Sequence, residues 1–341
     1  MKRQIFFFLF LFTGFLAFGQ DPVFTQFYAA PLQLNPAFTG TTYAPRFAMI
    51  YRNQLPSFAG NAYETYSASY DQFVPELNSG IGFFVMADDQ GEGLIKTNLF
   101  KANYSYRVRV VDDFYLKFGV NAGLTQARYD WDSFVFFDQL DKLTGPVDAS
   151  GNPNPTAEGR PEELNRTYFD VGSGLLAYSP HFYLGFSMGH LTRPNEGLLQ
   201  INNELTEGLP LIMSLHAGTQ ITLKEGNNDK PGTFLSPNVL ILKQGDFGQV
   251  NAGAYLGLGY FFIGSWYRHG FANPDAIMGL VGYQQGIIKV GYSYDFTVSE
   301  LASANGGGTH EISLIVNLEK LPGVQRRLRA RRYNDCFEMF R

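Results

Sequence analysis

Cysteine, tryptophan and charge are all scarce in this chain. One Cys in 341 residues excludes an internal disulfide framework and any cysteine-cluster zinc site. Charged residues make up 17%, below the roughly 25% of ordinary soluble domains. No apolar run is long enough for a spanning helix. The one candidate, Ile5 to Phe18, falls short of the ~20 residues a helix needs to cross a bilayer, and polar Gln20–Asp21 follow it. What is present is 45% hydrophobic residues, with 37 Gly, 32 Phe and 20 Tyr against 2 Trp. That content is ample for a core and excludes a disordered chain. Low charge with abundant Gly, Phe and Tyr points to a β-rich protein with an apolar exterior.

Lys2 and Arg3 precede the apolar run, and the small residues Ala17 and Gly19 end it. This is the layout of a secretory signal peptide over 1–19. No Cys lies near the cleavage site to take a lipid, so the mature chain is expected to start at Gln20 or Asp21. Charge is unevenly placed beyond it. Residues 320–341 carry Lys320, Arg326, Arg327, Arg329, Arg331, Arg332 and Arg341 against Asp335 and Glu338, whereas the body is acidic. The asymmetry marks the tail as a separate segment.

Period two dominates the rest. Over 114–125, Phe114, Leu116, Phe118, Val120, Ala122 and Leu124 alternate with Tyr115, Lys117, Gly119, Asn121, Gly123 and Thr125. That is a strand with one apolar face and one small or polar face. The same alternation runs through 100–108, 182–189, 250–259 and 287–296. In all, about fourteen strands are expected, an even count as single-chain bacterial outer-membrane barrels have. They lie near 46–52, 64–73, 79–88, 94–108, 114–128, 167–178, 182–190, 211–223, 234–243, 248–258, 261–268, 276–284, 287–296 and 310–319. Connections alternate between tight turns and long loops, the longest being 129–166, 191–210 and 297–309. Short periplasmic turns facing longer extracellular loops predict this, while a soluble sandwich has no reason to gather long loops at one end. The expectation is an all-β fold, a transmembrane antiparallel β-barrel over 46–319. A periplasmic N-terminal segment, 20–45, precedes it and a basic periplasmic tail, 320–341, follows, with both termini periplasmic. Tyr-rich strand ends (Tyr104–Tyr106, Tyr129–Trp131, Tyr292–Tyr294) suit interfacial girdles. Pro22, Pro31 and Pro36 oppose regular pairing in the opening segment, so it is expected to pack at the periplasmic mouth or inside the lumen, or else to lead irregularly into the first strand.

The opening segment also carries a resemblance. Gln26–Phe27–Tyr28, then Pro31–Leu32, then Leu34–Asn35–Pro36–Ala37–Phe38–Thr39–Gly40, followed by Tyr51–Arg52–Asn53–Gln54, is similar to the start of the PorP/SprF family of outer-membrane proteins. The basic tail, Arg326 to Arg332, resembles that family's C-terminal extension. The resemblance covers essentially the mature chain. It implies an outer-membrane component of the type IX secretion system that helps a cargo, often a large adhesin, to be secreted or held at the cell surface, in some relatives as part of the gliding machinery. It carries over no catalytic motif, and it assigns no role to Cys336.

Candidate chemistry is thin. Gly185–Phe–Ser187–Met–Gly189 matches G-x-S-x-G, with His190 next, but the motif needs a sharp strand-to-helix turn and sits in an alternating strand. His181, His216, His269 and His310 lack metal-ligand spacing. Asp88–Asp89–Gln90–Gly91–Glu92 offers oxygen ligands to a calcium ion but lacks EF-hand spacing, and it reads first as a solvated hairpin tip. Asn165–Arg166–Thr167 matches a glycosylation triplet by chance. No cofactor, metal or nucleic acid is expected.

Three function classes remain. The leading one is a secretion and interaction protein whose partners are outer-membrane lipid, a type IX cargo and periplasmic subunits of the machinery. Its contact residues would be Trp131, Phe134 and Phe136, with Phe137 beside them, in loop 129–166, and Arg326, Arg327, Arg329, Arg331 and Arg332 in the tail. The alternative is a passive porin with Lys101, Arg107, Lys117 and Lys289 lining an open lumen. The third, a membrane hydrolase, needs a reactive Ser187.

Overall fold

The computed structural model describes residues 21–54, 56, 63–197, 208–226, 231–298, 308–321 and 323–324. Fifteen antiparallel strand segments follow one another: β1 (Arg46–Gln54), β2 (Tyr63–Val74), β3 (Ser79–Gln90), β4 (Ile95–Val111), β5 (Phe114–Tyr129), β6 (Asn165–Tyr178), β7 (Phe182–Gly189), β8 (Ile212–Thr219), β9 (Ile221–Lys224), β10 (Thr233–Gln244), β11 (Phe247–Leu258), β12 (Phe261–Gly270), β13 (Pro274–Gln285), β14 (Ile288–Thr297) and β15 (Thr309–Asn317). β8 and β9 are two halves of one stave, and both lie against β10. The expected strand over 211–223 is broken at Gln220, whose N–H turns to the His181 carbonyl at 2.7 Å. β10 keeps one register across the break and shifts only between Thr233 and Phe234, near the end of β9. Each stave pairs with its chain neighbours, and β1 pairs with β15, so the ring closes as a fourteen-strand barrel. No helix among the described residues is long and apolar enough to cross a membrane.

The period-two faces fall as the alternation predicts. In β5, Phe118, Val120 and Leu124 are exposed on the outer wall, while Lys117, Asn121 and Thr125 are buried inside. A ring in hydrocarbon must satisfy its backbone internally, and closure does so without leaving an edge. Tyr104, Tyr106 and Tyr292 lie on the outer face, as a girdle requires. Tyr129 does not. It faces inward and its hydroxyl donates to the Glu196 carbonyl, because position 129 continues the inward parity of Thr125 and Ala127.

The interior is filled by the chain's own start. Phe24 to Ala30, Leu32 and Asn35 to Thr39 are buried, within a segment that enters near His190 and Gln244 and leaves near Asp71. It holds one helical turn, α1 (Pro31–Leu34), with Pro at its start, and a 3₁₀ turn, Pro36–Phe38, capped by the Asn35 side chain. Of the placements expected for the opening segment, the described residues 21–42 take the lumenal one and form a plug. The plug runs the length of the barrel. Arg46 and Asn317 face each other at the short-turn end, whereas Asp21 lies beside His190 and Gln244 at the long-loop end.

Glycine on the inner wall makes room for it. A Cβ on Gly119 would meet Ala37 N at 2.2 Å, one on Gly174 would meet Asn35 Oδ1 at 1.9 Å, and one on Gly80 would meet the Thr39 carbonyl at 2.1 Å. Gly40 itself turns with φ +64° where the plug passes over Gly80. On the opposite wall Phe27 and Tyr28 pack edge-on against Tyr255, Trp266 and Phe262, with Tyr28 and Tyr255 ring centroids 5.3 Å apart. Such aromatic pairs contribute about 0.5–1.5 kcal/mol beyond burial.

Because the clash at Gly119 is with backbone, Gly119→Val is expected to unseat the 36–38 turn rather than be absorbed. Overpacking of this kind costs about 1–3 kcal/mol. Limited proteolysis of the purified barrel should then cut within 30–42, where the parent is resistant. Equal resistance in the variant would mean that the plug does not depend on this contact.

Candidate functional site

The lumen is lined by charged side chains that inward parity delivers from many staves. Near the long-loop end, Arg52 of β1 donates to the Glu311 carboxylate of β15. Glu311 also accepts from the plug backbone, Thr25 N at 2.8 Å and Gln26 N at 2.9 Å. Asp295 of β14 accepts from Thr25 Oγ1 at 2.8 Å and from Arg268 of β12 at 3.0 Å, and Arg268 also donates to Asp275. Gln26 donates from Nε2 to Ser293 Oγ and to the Glu311 carbonyl, each at 3.0 Å. Desolvation of these ions is offset only because each finds partners.

Lower in the barrel the polar wall again reads plug backbone. Lys117 and Ser105 donate to the Thr39 carbonyl. Asn35 Nδ2 donates to the carbonyls of Leu175 and Phe186 at 3.1 and 3.2 Å. Arg46 holds Asp71 with two hydrogen bonds, and Asp71 accepts from Gly40 N at 2.7 Å. All six motif residues, Gln26, Phe27, Tyr28, Asn35, Pro36 and Gly40, thus lie in the lumen. Three of the four cations expected to line an open pore are engaged instead, and the fourth, Lys101, lines the cavities beside the plug. Lys289 sits over the Tyr28 ring at 4.6 Å, Arg107 stacks over Phe73 at 4.1 Å and Lys117 holds Thr39. Ser187 also serves the plug. It lies mid-strand in β7, donates to the Leu34 carbonyl at 2.7 Å and is 2.7 Å from Ser214 Oγ, with no strand-to-helix turn beside it.

Where the plug reaches the long-loop end, His190 is gripped by two carboxylates. Nδ1 lies 3.0 Å from Asp170 and Nε2 lies 3.1 Å from Asp21. Burial opposes the cation, but the hydrogen bonds it donates to Asp170 and Asp21 outweigh it and hold the imidazole up to about 9. Asp21 is correspondingly lowered, burial being overcome by His190, with Lys101 assisting. Two cavities flank this clasp. One, of about 170 Å³, is lined by Lys101, Tyr129, Tyr168, Asp170, His190 and Glu196. The other, of about 520 Å³, forms a vestibule over Asp21, Pro22 and Val23 between β1–β3 and β11–β13.

Loop 130–164 stands at the same end and is folded by its own contacts. Trp131 and Phe136 rings lie 4.8 Å apart, and Phe134 joins them at 6.1 and 6.2 Å. Asp138 accepts from Ala157 N and Thr156, and Gln139 exchanges hydrogen bonds with Asn154. Backbone N–H donors hold Asp138, Asp141 and Asp148 below the usual carboxylate range. The three aromatics read from the sequence as contacts form the loop's half-buried kernel. The fully presented side chains are Phe137, 91% exposed, and Leu143, 94% exposed, with Val135 and Leu140 beside them. Arg326, Arg327, Arg329, Arg331 and Arg332 lie outside the described residues. The sequence reading missed Asp170, Arg268, Asp295 and Glu311, and it named Asp21 and Arg52 only as landmarks, without a partner for either. The available signal was a charged residue at inward parity, which needs a partner inside.

His190 gives a pH test with a defined sign. Its value is raised on folding, so the cation's contribution is complete below the ordinary histidine range near 6.5 and is lost as pH rises through about 9. The melting temperature of the purified protein should therefore fall between pH 7 and 9.5, and His190→Gln should flatten that slope. An identical slope in parent and variant would remove the clasp from the plug's stability.

No curated protein matches the chain. Among solved structures it is similar to BamA from Haemophilus ducreyi lacking POTRA domains 1–3, at 9% identity and TM-score 0.38 over 80% of this chain and 70% of that one. It is also similar to a Pseudomonas aeruginosa FadL homologue, at 13% identity and TM-score 0.36 over 80% of this chain and 89% of that one. The family model for type IX secretion system membrane protein PorP/SprF matches residues 16–316, and the chain belongs to that family.

Proposed function

We propose that this protein is an outer-membrane component of the type IX secretion system that supports secretion or surface attachment of a cargo, such as a large adhesin, by protein contacts rather than catalysis. Export by the 1–19 signal brings the chain to that membrane. Outer-membrane barrels carry their longer loops outside, which puts loop 130–164 at the cell surface and the short turns, with the Arg326–Arg332 tail, in the periplasm facing acidic partners of the machinery. The observation that carries the reading is the self-folded loop 130–164. It presents Phe137 and Leu143 to solvent on a segment rich in Asp and Glu. Isolated apolar side chains are ordinary on a surface, but four on one ordered loop above a membrane barrel suit an interface. The plug counts against the passive porin, since the lumen it would need is filled by residues 21–42.

Deletion of the gene, followed by comparison of surface and medium proteins, separates the roles. Loss of one large surface protein means a dedicated carrier or anchor, and loss of all type IX cargo means a core component. An unchanged profile would sink the secretion reading. The loop is tested by a Phe137→Asp, Leu143→Asp double variant. Both side chains are solvent-exposed, so stability should change by less than ~0.5 kcal/mol each, while cargo at the cell surface falls as in the deletion. Normal cargo display by a normally inserted variant would move the interface elsewhere.

A further inference from the structure

The vestibule over Asp21–Val23 is a built polar site with no assigned ligand. Its volume, about 520 Å³, is in the range of ligand pockets. Arg52 and Gln54 come from β1, Tyr63 and Thr65 from β2, Asp88 and Gln90 from β3, and Phe247 and Gln249 from β11. The charged members are already spoken for. Arg52 holds Glu311 and Gln54, Arg268 holds Asp275 and Asp295, and Asp88 accepts from Thr65 and Gln90. Free ions of either sign are therefore poorly matched.

The unspent capacity is amide. Gln249 is 5% exposed, lines the vestibule, and its Nε2 has no hydrogen-bond partner. Gln244, one turn of chain away and 3% exposed, accepts from Asp21 N at 3.1 Å through Oε1 and lies against the Asp21 carboxylate. A buried donor without a partner costs about 1–3 kcal/mol, so such groups point to something that completes them. Gln54 and Gln90 are fixed by Arg52 and Asp88 through one end of each amide, which leaves the other end available.

We propose that the vestibule binds an extended peptide segment presented from the long-loop end and reads its backbone. A primary amide carries one acceptor and a donor pair, the complement of a peptide group. The barrel wall along the plug already recognises polypeptide in this way. Gln244 and Glu311 accept from plug N–H groups, and Lys117, Ser105 and Ser187 donate to plug carbonyls. The vestibule continues that chemistry beyond Asp21, with Tyr63 and Phe247 supplying apolar walls. Recognition through the backbone makes the site tolerant of sequence. The inference goes beyond the secretion role and is tested without it.

The test uses the full chain purified in detergent. The probe is a pool of random-sequence hexapeptides, acetylated and amidated, with a central benzophenone side chain. Photo-crosslinks mapped by mass spectrometry should concentrate on 52–54, 63–65, 88–90 and 247–249, and the unlabelled pool should compete. Gln249→Leu should lower labelling about fivefold, as expected for one lost hydrogen bond of ordinary strength, without lowering the melting temperature. If that variant folds poorly, Gln54→Leu, at a partly exposed position, replaces it. Crosslinks scattered over the outer wall, equal competition by maltohexaose, or full labelling of both variants would overturn the proposal. Vestibule positions that stay protected from labelling because the chain itself fills them would overturn it as well. The gene-deletion phenotype is independent of all these outcomes, so a failed vestibule leaves the secretion reading standing and the reverse also holds.

Discussion

Closing a sheet in hydrocarbon satisfies every strand N–H and C=O, but it creates an interior that must be filled as carefully as a core. Here the filling is a polypeptide with its own polar backbone, and the rest of the structure is arranged around that demand. The turn from Asn35 to Gly40 can lie against the wall only because Gly80, Gly119 and Gly174 carry no Cβ there. The plug's amide and carbonyl groups, cut off from water, are met by Glu311, Gln244, Lys117, Ser105 and Ser187. The wall is polar because its contents are polar.

The same demand sorts the charges. An unpaired ion inside a barrel is costly, and four linked sets of charges found there also touch the plug. Glu311 joins Arg52 to Thr25 and Gln26, Asp295 joins Arg268 to Thr25, Asp71 joins Arg46 to Gly40, and His190 joins Asp170 to Asp21. Barrel and plug are thereby one electrostatic unit, and removing either partner of a pair strands the other. His190 is the member within reach of ordinary pH, because two carboxylates hold its proton well above the usual histidine range.

For a family of secretion-system membrane proteins, a filled lumen directs attention to the ends. Transport through an open pore is not what this interior offers. The long-loop end instead combines an ordered loop with Phe137 and Leu143 presented outward and an amide-lined vestibule at the head of the plug. Protein contact is the role proposed for both. Ser187 lies elsewhere, mid-strand in β7. The G-x-S-x-G spacing is met, yet its hydroxyl is spent on the Leu34 carbonyl.

Much of the fold was legible in the sequence. Period-two alternation, tight turns and long loops in alternation set the staves and their facing, since a strand's side chains must point to opposite sides and only one side faces lipid. Phe118 and Val120 outward with Lys117 and Gly119 inward follow from order along the chain alone. The motif Gln26 to Gly40 marked the opening segment as special, and its prolines excluded a regular strand. Between them they left the lumen, the periplasmic mouth and an irregular lead into the first strand as alternatives. The choice was decided by contacts between residues far apart in sequence: Gly119 against Ala37, Asn35 against Leu175 and Phe186, Asp21 against His190. Trp131, Phe134 and Phe136 read alike as loop aromatics with Phe137, but only the folded loop turns three of them toward each other and the fourth to solvent. Local alternation fixes which way a side chain points. What it meets there depends on closure of the ring, which brings distant residues within reach.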